Sequence, residues 1–308
     1  MEDSYSVKVK NLTKKFGNFT AVDHIDFEVK KGEIFGFLGA NGAGKTTTIR
    51  MLCGLLKPSG GSGIVAGYDI NNETENIKKK IGYMSQKFSL YNDLTVEENI
   101  EFFGGMYGLP AKEVKQKKEW IIDLANLQGM RKRITQDLAG GWKQRLALGT
   151  ALIHDPDIVF LDEPTAGVDP VSRRDFWEII NNFSDQGITI FVTTHYLDEA
   201  EYCNTIKLMD KGKIIAGGSP EDLKTENIEA NMYQIETDNL NKAKNILASM
   251  DEIINVAILG INLNIMTNQG MEKIENIIKK NFNKNDIKLL GIKTIEPTLE
   301  DVFVHLID

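Results

Sequence analysis

The sequence predicts an α/β fold in which a parallel sheet presents a phosphate-binding loop. The first observation is a glycine-rich segment at residues 39–47, which follows a predicted buried strand at residues 33–38. The second is a pair of apolar runs, at residues 157–162 and 188–193, of the kind found in parallel strands covered on both faces. The third is a predicted helix at residues 170–183, which has the place of a crossover between those strands.

Two segments add to this core. Residues 7–29 alternate apolar and polar side chains, which predicts half-buried antiparallel strands and hence a β-subdomain. Residues 88–141 have helical periodicity and are predicted to form a helical insertion. Within the insertion, Thr95 and Glu98 have the spacing of a capping box, which predicts a helix start at that point.

The composition changes after Pro220 and becomes rich in Asn, Lys and Ile. We therefore predict a large domain at residues 1–219 and a small α+β domain at residues 220–308. The predicted elements of the second domain follow the order βαββαβ, as in a ferredoxin-like sandwich. It contains no catalytic pattern, so we interpret it as a regulatory or interaction domain, with a stabilising appendage as the alternative.

The composition argues against several classes of protein. The net charge of −8 argues against nucleic acid as the main partner. No apolar stretch approaches the roughly 18 residues that a membrane-spanning helix needs, and the N-terminus lacks a signal-peptide pattern. The two cysteines lack metal-ligand spacing and are expected to be reduced thiols. These features predict a soluble cytoplasmic protein that reaches a membrane only through a partner.

The glycine-rich segment matches the phosphate-loop pattern GxxxxGK[ST]. Its residues are Gly39, Ala40, Asn41, Gly42, Ala43, Gly44, Lys45, Thr46 and Thr47. Glycines let the backbone N–H groups point inward at a polyphosphate, and the following helix favours anions at its N-terminus. Lys45 supplies positive charge for the β- and γ-phosphates, and Thr46 offers a hydroxyl to Mg²⁺. The segment predicts binding of a nucleoside triphosphate.

Two acidic residues end the first apolar run. Asp162 is expected at the carboxyl end of a parallel strand, where a carboxylate can hold Mg²⁺, usually through water. Glu163 follows it and is placed to act as the general base for an attacking water.

Residues 161–170, which read LDEPTAGVDP, resemble the Walker B motif and D-loop of ABC-transporter ATPase subunits. The resemblance extends over about residues 7–220. It implies that Phe16 stacks on adenine and that Gln86 reaches Mg²⁺ and the attacking water. It also implies that His195 contacts the γ-phosphate and that Asp169 links hydrolysis to a dimer interface.

One motif departs from the pattern of that family. The signature loop, usually close to LSGGQ, clamps the ATP held by the opposite subunit, and here it reads Leu138-Ala139-Gly140-Gly141-Trp142. Ala139 cannot offer a serine hydroxyl, whereas Gly140 and Gly141 still present backbone N–H groups at a helix start. This loose form, Thr-His-Tyr at the switch and the tail EPTLEDVF resemble the drug- and polyketide-type exporters.

The resemblance therefore implies an ATP-hydrolysing subunit that needs ATP and Mg²⁺, forms a homodimer and powers a separate membrane permease. Its expected location is cytoplasmic, peripheral on the inner face of the cell membrane. Two alternatives remain. A soluble ABC-type ATPase for DNA repair or translation would normally add a coiled coil, a second ATPase domain or a basic surface. A non-hydrolysing ATP-dependent regulator would normally lack the acid at Glu163.

Overall fold

A computed structural model of the chain describes residues 4–87, 90–226 and 230–307. Residue 88, where the predicted insertion begins, lies outside the described residues. The chain divides into two compact units, Met1–Pro220 and Glu221–Asp308. In the part of the chain that is described, no helix has the length and apolar character needed to cross a membrane.

The described residues of the first unit form ten strands and most of the helices. Its strands are β1 (Tyr5–Phe16), β2 (Phe19–Lys30), β3 (Ile34–Leu38), β4 (Gly60–Val65), β5 (Tyr68–Asp69), β6 (Ile81–Met84), β7 (Ile158–Asp162), β8 (Thr189–Thr194), β9 (Thr205–Asp210) and β10 (Lys213–Gly218). Its helices are α1 (Lys45–Leu52), α2 (Thr74–Lys80), α3 (Val96–Met106), α4 (Ala111–Leu124), α5 (Gly140–Ala151), α6 (Pro170–Asp185) and α7 (Leu197–Ala200), and α8 (Pro220–Glu226) begins at the boundary between the units.

The larger sheet of this unit positions the site. Its strand order is β10-β9-β3-β8-β7-β6, and β9, β3, β8, β7 and β6 run parallel, while β10 pairs antiparallel with β9. Every residue of β3, β7 and β8 is buried, as expected for strands covered on both faces. The predicted α/β fold is confirmed.

The antiparallel sheet of the same unit has the order β2-β1-β4-β5. It packs against the parallel sheet through a shared apolar core, in which the Phe27 ring lies 5.5 Å from the Phe35 ring and 5.1 Å from the Phe37 ring. Ala21 and Val22 of β2 lie against Gly44, so this sheet borders the glycine-rich segment.

The helical part has its own core. Buried side chains of α3, α4 and α5 meet there, among them Val96, Ile100, Ile121 and Leu146. The capping box at the start of α3 is present: Thr95 N donates to Glu98 Oε2 at 2.8 Å, and Glu98 N donates to Thr95 Oγ1 at 3.3 Å. The helical subdomain is therefore packed as a unit around this core.

After α8, the described residues of the second unit form four strands and three helices. They are β11 (Asn231–Thr237), α9 (Leu240–Ala248), β12 (Asn255–Leu259), β13 (Asn262–Thr267), α10 (Met271–Lys284), β14 (Leu289–Ile295) and α11 (Leu299–Ile307). The strands form an antiparallel sheet of order β12-β13-β11-β14, and α9 and α10 contribute buried residues to its core. The first six elements follow the βαββαβ order, whereas α11 is an addition that the sequence analysis did not predict.

Candidate functional site

The phosphate loop joins β3 to α1, at the edge of the sheet where parallel strands β7 and β8 also end. Two of its glycines are required by the surrounding backbone. A Cβ added to Gly39 would lie 2.2 Å from the carbonyl oxygen of Met209. Gly44 has φ +110°, and a Cβ there would lie 2.5 Å from the carbonyl oxygen of Ala21. Only glycine fits both positions, which fixes the loop against its neighbours.

Lys45 is the first residue of α1, and its side chain is 4% exposed. Its Nζ donates to the carbonyl oxygens of Gly39, at 2.7 Å, and Ala40, at 3.1 Å. Nζ also lies 3.5 Å from Oε1 of Glu163. Burial lowers the pKa of Lys45, and the Glu163 carboxylate opposes this effect. The cation is thus held beside the loop by two carbonyls and one acid.

Asp162 is the last residue of β7 and is almost fully buried. Its Oδ1 accepts hydrogen bonds from Thr46 Oγ1 at 2.9 Å and from Thr193 Oγ1 at 2.7 Å. Burial raises the pKa of Asp162, although both hydroxyl donors oppose that shift. Strands β7 and β8 and helix α1 therefore converge on one carboxylate oxygen.

The oxygen atoms of Thr46 and Asp162 suit Mg²⁺, which prefers hard oxygen ligands and usually keeps several waters and substrate phosphates in its shell. The two atoms already lie within 2.9 Å of each other. No group of three His, Cys, Asp or Glu side chains that could hold a metal occurs within the described ranges. Thr46 and Asp162 could each supply one oxygen ligand to a metal here, whereas the described contact of Gln86, the third predicted metal ligand, is with Glu163.

Glu163 lies at the centre of the predicted catalytic residues. Its Oε2 accepts a hydrogen bond from Gln86 Nε2 at 2.9 Å and lies 3.3 Å from Nδ1 of His195. Its Oε1 faces Lys45, and its side chain is only 7% exposed. The structure thus brings together the four residues that the sequence analysis assigned to catalysis.

The backbone of Glu163 adopts φ +49°, a left-handed conformation that costs energy for a residue with a side chain. Its N–H donates to the carbonyl oxygen of Thr193 at 3.0 Å and to Thr193 Oγ1 at 3.1 Å. Thr193 on β8 therefore fixes the turn that aims the Glu163 side chain at its neighbours. Sequence reasoning gave Thr193 no role.

Phe16 ends β1 and is 50% exposed. The described contact of its ring is with Lys14, whose Nζ lies 5.1 Å from the ring centroid. The exposed face leaves room for a flat base to stack, as predicted for adenine. No described hydrogen bond or ring contact connects Phe16 to the phosphate loop.

The signature segment and the D-loop lie beside each other. A cavity of about 320 Å³ is lined by residues of both, including Ala139, Gly140, Gly141 and Asp169. Helix α5 begins at Gly140 with Ala139 as its N-cap, and no side chain caps it. Asp169 is the N-cap of α6 and accepts hydrogen bonds from the N–H groups of Val171 and Ser172, and the Ser172 contact is the main cause of its lowered pKa.

Among the described residues, no hydrogen bond or ion pair links this cavity to the phosphate loop. Trp142, at the end of the signature segment, is half-buried and packs against the helical core. Its side chain thus contributes to the helical subdomain itself.

Glu199 is a buried acid beside the site that sequence reasoning did not single out. Its side chain is fully buried, its Oε1 accepts a hydrogen bond from Thr165 Oγ1, and its Oε2 accepts one from Thr194 Oγ1 at 2.7 Å. The Nε of Arg173 on α6 lies 3.3 Å from Oε1. Burial raises the pKa of Glu199, and these donors oppose the shift.

We call Glu199 and its three partners, Thr165, Arg173 and Thr194, the Glu199 cluster. Its contacts connect three segments of the site. Thr165 lies two residues after Glu163, Thr194 directly precedes His195, and Arg173 belongs to the helix that Asp169 caps. The available sequence signal was an acid next to Ala200 on a short helix, four residues after His195. It gave no indication of which residues the acid would contact.

Comparison with known proteins identifies relatives of one kind. The family model described as ABC transporter matches residues 22–166. The linearmycin resistance ATP-binding protein LnrL of Bacillus subtilis is 35% identical over 303 residues, which cover 97% of each chain. The probable multidrug ABC transporter ATP-binding protein YbhF of Escherichia coli is 51% identical over 220 residues, or 71% of this chain. That alignment covers only 38% of YbhF, so this chain matches less than half of that relative's length.

Two solved structures share the fold of about 70% of this chain. CbiO1 of Clostridium perfringens, described as part of the ABC transporter complex cbiONQ, has a TM-score of 0.66 and 28% identity, covering 72% of this chain and 91% of its own. The ATP-binding cassette MJ0796 was solved as a dimer in a post-hydrolysis state bound to ADP and Pi. Its TM-score is 0.63 and its identity 26%, covering 69% of this chain and 98% of its own.

Proposed function

Since this chain belongs to the ATP-binding subunits of the ABC transporter family, we propose that it hydrolyses ATP to power a separate membrane permease. The observation that carries the proposal is the convergence of Lys45, Gln86 and His195 on Glu163, beside the phosphate loop. This arrangement provides positive charge for phosphates and a positioned base in one place.

In this proposal, different residues of the site have different roles in hydrolysis. Loop N–H groups and Lys45 hold the β- and γ-phosphates of ATP. Glu163 accepts a proton from a water as the water oxygen attacks the γ-phosphorus, and the bond to the β–γ bridging oxygen breaks to leave ADP and phosphate. Gln86 and His195 orient the Glu163 carboxylate through Oε2. Mg²⁺ would be held by Thr46 and Asp162, with Gln86 as the third proposed ligand, and would supply charge neutralisation at the phosphates.

A second copy of the chain completes the site in this proposal. Gly140 is exposed, opens α5 without a capping side chain, and lines the cavity that Asp169 also lines. Such a helix start favours phosphate, and the chain has one phosphate loop. Two copies would therefore hold two ATP molecules, each between the loop of one chain and residues 139–142 of the other.

The permease is proposed to dock on an apolar groove of the first unit. The groove has a volume of about 700 Å³ and is lined by residues from the segment after α1, from α2, β6 and α3, and its three charged lining residues all belong to α2. Leu55, Tyr91, Phe102 and Met106 line it with large exposed side chains, and the Tyr91 and Phe102 rings lie 4.5 Å apart. Exposed apolar patches of this kind mark sites of protein contact. Tyr83 also lines the groove, three residues before Gln86, which connects the docking surface to the base.

The proposed direction is export, with the chain cytoplasmic and peripheral on the inner face of the cell membrane. Relatives named for multidrug transport and for linearmycin resistance support this choice. We also propose that the C-terminal unit has a regulatory or interaction role. The presence of Glu163 with its three polar neighbours argues against a regulator that does not hydrolyse ATP.

The test is isolation of the tagged chain from membranes, with identification of the proteins that co-purify and measurement of ATPase activity. We expect an integral membrane protein in the preparation of the wild type and its loss in Phe102→Asp. Ile64→Asp, at an exposed apolar position on β4 outside the groove, is the matched control and should retain the partner. Active ATPase with no membrane protein bound would instead support a soluble ATPase.

A further inference from the structure

The β12–β13 hairpin in the second unit contains an unusual stretch of the chain. Residues 253–271 include no Asp, Glu, Lys, Arg or His, although 26% of the whole chain is charged. Four large apolar residues in this stretch are exposed: Ile254 at 47%, Ile258 at 39%, Leu259 at 54% and Ile261 at 82%. A surface hairpin therefore lacks the charges that normally keep such a surface in water.

The outer side of β12 also lacks a strand partner within the described residues, because β12 is the terminal strand of its sheet. An edge strand presents unpaired N–H and C=O groups, and proteins usually protect it with charges, prolines or a covering element. The opposite edge follows that rule, since β14 contains Lys293 and is preceded by Lys288. The unprotected edge is thus confined to β12.

We propose that β12 pairs with β12 of a second copy of this chain, as an antiparallel strand pair about a two-fold axis. An interface of this kind requires a surface that is complementary to itself. If a charged strand paired with its own copy, some like charges would lie near each other. Since β12 contains no charged residue, its pairing with a second β12 avoids this repulsion. The pairing satisfies the edge hydrogen-bonding groups of both copies and buries Ile258 and Leu259.

The contact is small, since β12 has only five residues. It buries less than the roughly 1,200 Å² typical of stable interfaces, so it is weak between free chains. Between two chains already held in one complex, the high effective concentration makes a weak contact sufficient. The contact needs no nucleotide and therefore goes beyond the proposed function.

The test uses the full chain without nucleotide, so that ATP-dependent pairing does not contribute. Sedimentation velocity should reveal reversible dimers as the wild-type concentration rises to about 0.5 mM, as expected for a weak interface. Ile258→Lys should weaken self-association by about tenfold or more, because each dimer would bury two lysine charges. Leu290→Lys, on the opposite edge strand and 63% exposed in the wild type, should leave it unchanged.

A cysteine scan tests the geometry independently of the lysine variants. Residues 255–259 are replaced by cysteine one at a time, and disulfide-linked dimers are measured after mild oxidation. In an antiparallel two-fold pair, each residue step from the axis separates the two copies by about 7 Å, so cross-linking should peak at one or two adjacent positions. The native thiols, Cys53 and Cys203, are buried and serve as the background.

Three results would overturn the proposal. The wild type could remain monomeric with no cross-linking peak, or Leu290→Lys could dissociate the dimer as strongly as Ile258→Lys. The hairpin could also bind vesicles of phosphatidylcholine and phosphatidylglycerol in a manner abolished by Ile258→Lys, without self-association, which would assign the edge to lipid. None of these results affects ATP hydrolysis, so the proposed function is tested separately.

Discussion

The side-chain amide of Gln86 donates a hydrogen bond of 2.9 Å to Oε2 of Glu163, across 77 residues of chain. The two residues follow neighbouring parallel strands, β6 and β7. Tyr83, three residues before Gln86, lines the apolar groove, and we propose that movement of a docked permease alters the orientation of Glu163 through this contact. The proposed coupling between transport and hydrolysis thus rests on one defined contact.

Lys45→Ala should weaken ATP binding by roughly 10- to 150-fold, the equivalent of one lost hydrogen bond to a charged group. The reason is loss of the only side-chain cation that the structure places beside Gly39 and Ala40 in the described site. Calorimetric titration measures the change. Lys10→Ala, at an exposed position on β1, is the control and should bind as the wild type does. Unchanged affinity in Lys45→Ala would show that the phosphate loop has been misassigned.

Asp162→Asn should stabilise the nucleotide-free chain at pH 7 and abolish Mg²⁺-dependent hydrolysis. Burial raises the pKa of Asp162 above 3.8, so the folded state disfavours the ionised form. The resulting penalty is absent below pH 3.8, develops as pH rises through the folded-state pKa, and is complete above it. The difference in melting temperature between variant and wild type should therefore be larger at pH 7 than at about pH 4. If the difference in melting temperature were equal at the two pH values, or larger at about pH 4, the folded state would not disfavour the ionised form of Asp162.

The sequence predicted those parts of the site whose chemistry is local. The phosphate loop and the acids that end β7 are contiguous segments with known spacing, and the parallel sheet then determines where they meet. The Glu199 cluster was not predictable, because Thr165, Arg173 and Thr194 come from three segments that only the tertiary fold brings together.

One local feature was also missed. Helix α11 begins after Thr298, whose backbone N–H donates to Asp301 Oδ2 at 2.8 Å and whose Oγ1 accepts from Asp301 N at 3.3 Å. That T-x-x-D spacing is a helix-start signal that was present in the sequence. Trp142 could be recognised only as a departure from a motif, since its packing against the helical core depends on α3 and α4.

Glu199→Gln should lower kcat by about tenfold while changing ATP affinity by less than about twofold, because it weakens contacts that position Glu163 and His195 but touches no phosphate. Separate measurement of kcat and of ATP binding checks this. Asp198→Asn is the control on the same helix, since Asp198 is exposed and pairs with Arg173 at 3.4 Å, and it should have little effect. Equal losses of kcat and affinity in Glu199→Gln would indicate a general structural defect. Full activity of Glu199→Gln would show that Glu199 does not help to position the catalytic residues.

Ala139→Ser should have two separable effects. As the N-cap of α5, serine should raise the free energy of unfolding by about 1 kcal/mol. A hydroxyl facing the opposing γ-phosphate should also tighten ATP-dependent dimerisation, by up to one charge-assisted hydrogen bond. Chemical denaturation measures the first effect. Dimer affinity in the Glu163→Gln background measures the second effect. If the variant were more stable but its dimers were no tighter, serine would act only as a helix cap and not at the dimer interface.

Trp142→Ala should lower the free energy of unfolding, because the side chain packs on the helical core. Its effect on ATP-dependent dimer affinity should be smaller than that of Ala139→Ser. The same two measurements apply. A large loss of dimer affinity with unchanged stability would instead place Trp142 in the interface between the two copies.

The most direct test of the account is Glu163→Gln. The amide keeps the size of the side chain and leaves Lys45 and the loop intact, but it cannot accept a proton from water. We expect ATP affinity to be retained, turnover to fall by at least about 100-fold, and an ATP-dependent dimer to accumulate in sedimentation experiments. Glu178→Gln, at an exposed position on α6, should hydrolyse ATP like the wild type. Turnover of Glu163→Gln within about tenfold of the wild type would contradict the assignment of Glu163 as the general base.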